Sequence, residues 1–189
     1  GPWVKIRYKG WTGAQAPDTV FRTMKMYVDC DSFPAPARAV IIRAAERQRI
    51  QVVFVARKNP GLPKSAWVRF EPAPDGPDAA DDIIVSLVQA GDMAFTRDIP
   101  LAARLVERSV LVLDDRGAVY TSENVRTRLS ERDFMAGLRE SNLVGSIGKP
   151  GRSYGQRELA EFSNAFDREL TRLLRKTQPK TSPVPESGL

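Results

Sequence analysis

The chain has 189 residues, enough for one domain with a full core and some surplus at its ends. It contains no histidine, which removes Ser-His-Asp and Cys-His nucleophile systems and histidine-ligated zinc, leaving carboxylates, lysines, hydroxyls or a hard cation held by oxygen for any chemistry. The single cysteine, Cys30, cannot close an internal disulfide and points to a reducing cytoplasm, while the net charge of +6 suits a polyanionic partner.

Residues 1–23 show no clean period and open with Gly1-Pro2, which reads as a processing scar and leaves open whether this N-terminal extension is native or of vector origin. Within it, "WVKIRYKGW" alternates aromatic and basic residues, as either an added strand or vector sequence would. "MKMYVD" then reads as a short buried strand, and Pro34 with Pro36 opens a helix from about Ala37 to Gln48. "IQVVFVA" is a second strand, "RKNPGLPK" a loop and "AWVRFEP" a third strand. "DAADDIIVSLVQA" has helical spacing and stops at Gly91. "DMAFT" gives a fourth strand, Ile99 to Glu107 a helix, and "SVLVLD" a fifth strand. "DDRGAVYTSENV" predicts a hairpin turn feeding a helix capped by Thr121 or Ser122. Helices follow over 122–140 and 156–176, joined by "GSIGKPGRSYG", which is too short to be a phosphate loop and has Pro150 where Ser or Thr is needed. Residues 177–189 have the composition of a disordered tail. No run reaches the length of a membrane span, and no secretory signal pattern opens the sequence.

Strands alternating with helices predict an α/β/α sandwich around a mainly parallel sheet over residues 24–176, with extra helices at its C-terminal end. In such a sheet ligands bind beyond the carboxyl ends of the strands. Asp29 and Asp31 lie at the end of the first strand, Asp98 follows the fourth, and Asp78, Asp81 and Asp82 share one face of a helix start. Each has a plainer role available: Asp78 and Asp98 as helix caps, Asp81 and Asp82 against the macrodipole, Asp31 in a turn. Asp29 is the exception, because a carboxylate closing a buried strand needs a partner. Three segments thus bring carboxylates to one sheet edge, where a divalent cation relieves their repulsion and activates water for in-line attack on a phosphodiester. Arg43 and Arg97 are the candidate phosphate-binding side chains, within a looser basic set that includes Arg57 and Lys58.

The blocks "MKMYVDCDSFP", "AADDIIV", "GDMAFTRDIPLAARLVE", "RGAVYTSENV" and "RLSERDFMAGLR" resemble the bacterial YaiI/YqxD-like family, in order and spacing, from about Met24 to Leu174. The resemblance implies grouping with the PIN-like nucleases, an α/β/α sandwich whose acidic residues hold Mg²⁺ or Mn²⁺. On that likeness Asp29 is the strand-end aspartate, Asp82 with Asp81 beside it the helical carboxylate, Asp98 the aspartate of a "T-x-D" element and Asp31 a second first-strand aspartate. One departure argues against an essential thiol: Phe33 stands where relatives carry a cysteine, and Cys30 is expected to face the core.

The expectation is a cytoplasmic, metal-dependent nuclease acting on RNA, with Asp29, Asp82 and Asp98 as catalytic metal ligands and Asp31 and Asp81 in support. A nucleic-acid-binding or protein-interaction module without turnover is the alternative from another class, since fold does not fix activity. A small-molecule phosphatase using the same crevice is a third.

Overall fold

Apolar, β-branched segments of three to five residues supply the central strands, and each is buried along its length except the outer ones. The computed structural model describes residues 3–6, 20–140 and 153–177. Strands β1 (Trp3–Ile6) and β2 (Val20–Thr23) pair antiparallel as a separate two-stranded sheet, so the "WVKI" segment does form a strand. The central sheet has six strands: β3 (Met26–Asp29), β4 (Val52–Ala56), β5 (Val68–Pro72), β6 (Met93–Phe95), β7 (Leu111–Leu113) and β8 (Val119–Tyr120). Its order is β5-β4-β3-β6-β7-β8, all parallel except the β7–β8 hairpin.

The helices are α1 (Ala35–Gln48), α2 (Ala79–Leu87), α3 (Ile99–Glu107), α4 (Ser122–Glu140) and α5 (Gln156–Thr177). Strand alternation divides the core between the two sheet faces. Met26, Val28, Phe54 and Phe95 pack with Ile41 and Ala45 of α1 and Phe162 and Phe166 of α5. Tyr27, Val53, Val55 and Val112 pack with Ile84 of α2, Leu101 and Leu105 of α3 and Val125 of α4. The result is the predicted α/β/α sandwich. Cys30 is buried in the first of these clusters, and Phe33 packs edge-on against Phe95 and Phe162.

Boundaries differ from the sequence pattern where local chemistry intervenes. Helix α1 begins at Ala35, with a proline in its first turn, where the missing N–H loses nothing. Helix α2 stops at Leu87 rather than running to Ala90, because Val88 turns extended and the buried Asp92 carboxylate accepts the N–H groups of Gln89 and Lys25 at 2.9 Å each. At the start of α4, Thr121 is the cap: its Oγ1 accepts the Asn124 N–H at 3.1 Å while Asn124 Oδ1 accepts the Thr121 N–H at 2.9 Å. The predicted linker over 145–155 lies largely outside the described residues, as does the tail beyond Thr177.

The chain builds outward from β3 twice, first through β4 and β5, then through β6, β7 and β8 on the other side. The reversal therefore falls between β3 and β6, and the carboxyl ends of these strands form the switch-point crevice of the sheet.

Candidate acidic site at the carboxyl edge of the sheet

Asp29 closes β3 and is only 5% exposed. Its predicted need for a partner is met by hydroxyls: Ser32 Oγ donates to Oδ2 at 2.7 Å, and Thr96 Oγ1 donates to the same oxygen at 2.8 Å. Both hydroxyls also accept backbone N–H groups, Thr96 from Asp98 at 3.0 Å and Ser32 from Arg97 at 3.3 Å. The turn after β3 and the segment after β6 are thus tied together through Asp29. Burial pushes the Asp29 carboxyl above the usual range, the two hydroxyls pull it back, and Asp98 and Asp31 push it up further.

A cavity of about 590 Å³ opens above these strand ends, lined by Asp29, Asp31, Asp78, Asp81 and Asp98 together with Arg57. Asp98 reaches it while capping α3, with Oδ1 accepting the Leu101 N–H at 2.9 Å, so its plainer role as a cap is also fulfilled. Asp78 does not cap α2 with its side chain; it adopts a left-handed φ of 60° at the helix start. Asp81 shows the strain of the cluster most plainly. Its carboxyl is pushed up to about 7, first by burial and then by Asp98, Asp29 and Asp78, against an opposing pull from Arg104.

The other candidates are placed differently. Asp82, one residue on from Asp81, turns away and pairs with Arg104 at 2.8 Å on an exposed surface. Successive helical residues diverge by about 100°, so a shared face at i+3 and i+4 does not mean a shared target. Arg43 lines a separate cavity between α1 and α5, with Arg47 and Asp167. Arg97 sits beside Asp98, but its Nε is 3.4 Å from the buried Asp115 carboxylate. Burial raises the Asp115 carboxyl and Arg97 is the main opposing influence. Ser32, Thr96 and Arg57 are the site residues that the pattern of carboxylates did not single out. The signal for Ser32 and Thr96 was present as hydroxyls three residues after Asp29 and two before Asp98.

The donor chemistry suits a hard cation: carboxylate oxygens, no nitrogen ligand, and a cluster whose repulsion an ion would relieve. Among the described residues, however, no three His, Cys, Asp or Glu side chains stand close enough to form a ready ligand set. Mg²⁺ commonly keeps several waters and takes only one or two carboxylates. The described carboxylates do not form a closed all-protein cage.

The family described as the uncharacterised YaiI/YqxD family matches residues 27–172. A UPF0178 protein of Myxococcus xanthus is 48% identical over 157 residues, covering 83% of this chain and 100% of that relative. UPF0178 proteins of Syntrophobacter fumaroxidans and Acinetobacter baylyi are 45% and 41% identical, covering 79% and 81% of this chain and 95% and 97% of theirs. No solved structure matches the chain.

Proposed function

We propose that this chain, which belongs to the uncharacterised bacterial YaiI/YqxD family, is a Mg²⁺- or Mn²⁺-dependent nuclease of PIN-like type that cleaves RNA. The observation that carries the proposal is the meeting of Asp29, Asp81 and Asp98 around one cavity at the switch point of a parallel sheet, with Asp81 pushed up to about 7. When bound, the cation supplies Lewis acidity for water attack on phosphorus. The chain's own residues supply the rest. Ser32 and Thr96 fix the Asp29 carboxylate, the α3 cap fixes Asp98, and Asp81 accepts or releases a proton near neutral pH as the occupancy of the cavity changes.

The test is Mn²⁺ calorimetry on the parent, Asp29→Asn and Asp98→Asn, followed by incubation of the same samples with single-stranded RNA, with and without EDTA. Asparagine caps helices as well as aspartate, so the Asp98 variant should keep its fold. The proposal expects Mn²⁺ binding and EDTA-sensitive cleavage by the parent and loss of both in each variant. Cleavage that survives EDTA or either substitution rejects it. The separation of the acidic side chains favours a second reading, a nucleic-acid-binding module without turnover. That module would hold RNA equally well in EDTA and cleave none.

A further inference from the structure

The acidic cavity has a neighbour. A second space of about 590 Å³ is lined by Asp31, Arg57, Lys58, Ala73, Pro74 and Asp75, and it shares Asp31, Arg57 and Pro74 with the first. The two spaces therefore adjoin along the loop ends of β4 and β5. The first is rich in aspartates, and the second carries the adjacent cations Arg57 and Lys58 beside Asp31 and Asp75. Among the described residues, Arg57 has a loose carboxylate contact with Asp75 at 3.7 Å, and both side chains are largely exposed. An exposed pair of this kind is weak, so little holds Arg57 back from another anion. Among the described residues, neither space has an aromatic side chain in its lining.

We infer that Arg57 and Lys58 grip the phosphate backbone of single-stranded RNA beside the acidic cavity, without reading its bases. The inference rests on the nuclease reading and adds to it a direction and a mode of recognition. A polyanion is repelled by the carboxylates themselves and needs a cationic hold next to them. Base-stacking platforms would give sequence-tolerant affinity through aromatic rings, and the described lining of the two spaces lacks them. Each space alone falls within the range of about 300–1,000 Å³ typical of small-ligand pockets, whereas the two side by side suit a chain that continues past the site.

The experiment compares the parent with Arg57→Gln/Lys58→Gln and with Arg43→Gln/Arg47→Gln, which removes the same charge from the separate cavity between α1 and α5. Fluorescent U12 and A12 RNA are titrated in EDTA at several salt concentrations, and Mn²⁺ affinity is measured separately on all three proteins. For single strands the slope of log K against log salt is about −0.7 per phosphate contact, so losing two contacts should flatten it by about 1.4. The inference expects that flattening in the Arg57/Lys58 variant, roughly tenfold weaker binding at low salt, similar affinity for U12 and A12, and unchanged Mn²⁺ binding. It is overturned if that variant binds RNA like the parent, if the Arg43/Arg47 variant loses as much, or if A12 and U12 differ strongly. In those cases an intact Mn²⁺ response leaves the nuclease reading standing. A parent that binds neither Mn²⁺ nor RNA removes both.

Discussion

Thr96→Val is the most direct probe of how the site is held. Thr96 is 0% exposed, and valine keeps its shape while deleting one hydroxyl. That hydroxyl makes two bonds, donating to Asp29 Oδ2 at 2.8 Å and accepting from the Asp98 N–H at 3.0 Å. A hydrogen bond to a charged group is worth about 1.5–3 kcal/mol, and stranding a buried N–H costs about 1–3 kcal/mol more. Ser32 remains on the same Asp29 oxygen and will absorb part of the loss, so the net destabilisation should be about 2–4 kcal/mol at pH 8. The pH dependence follows from the same bond. Thr96 lowers the Asp29 carboxyl from the raised level that burial imposes, so its removal lets the carboxyl rise further. A group whose folded pKa is raised contributes stability below its unfolded pKa and loses it as pH rises through the folded one. The gap between variant and parent should therefore widen with pH and shrink in acid. Urea unfolding at pH 5 and pH 8 measures it. A difference below about 1 kcal/mol at pH 8, or one independent of pH, would refute the idea that Thr96 supports an ionised Asp29.

Asp81→Asn should stabilise the cation-free protein more at pH 8 than at pH 5, because the parent progressively loses the contribution of its protonated carboxyl as pH rises from the ordinary carboxylate range toward about 7. Thermal melts in EDTA at the two pH values check this, and Mn²⁺ should raise the parent's melting temperature more at pH 8 than at pH 6; identical pH profiles for parent and variant would remove Asp81 from the site. Gly117→Ala should cost about 2–4 kcal/mol, since Gly117 has a φ of +83° and an added Cβ would lie 2.5 Å from Ala165 Cβ and 2.9 Å from the Glu161 carbonyl oxygen. A urea midpoint unchanged by this substitution would show that the turn between β7 and β8 does not approach Ala165 and Glu161 of α5 closely.

The fold was legible because its signals are local and agree with one another. Short β-branched runs, prolines in first helical turns and glycines after turns mark nearly every element, and the switch point then follows from topology. The end of α2 was not legible: the apolar spacing continues through Val88, and what stops the helix is Asp92, a residue that satisfies Gln89 and Lys25 from outside the pattern. The site was half legible for a similar reason. Periodicity brings Asp29 and Asp98 to one edge, but choosing between Asp81 and Asp82 depends on Arg104, more than twenty residues away, which draws Asp82 outward at 2.8 Å. Ser32 and Thr96 were hidden by their commonness, since a hydroxyl at the end of a strand usually means only a turn.

The plainest account of the acidic residues is that they complement helix N-termini, and it can be weighed residue by residue. It suffices for Asp98, which caps α3. It fails for Asp29, which ends a strand and takes its partners from two hydroxyls. For Asp81 it has the wrong sign: a carboxylate stabilised by a helix start should be drawn down, yet burial and three neighbouring aspartates push this one up to about 7. A fold selected only for stability has little reason to keep such a residue in place, because an asparagine or serine in the first turn would serve the helix without the repulsion. What remains unexplained by stability is the sharing of one cavity by Asp29, Asp81 and Asp98. That shared lining, next to the cationic Arg57, is the observation on which the proposed cation and phosphate chain rest.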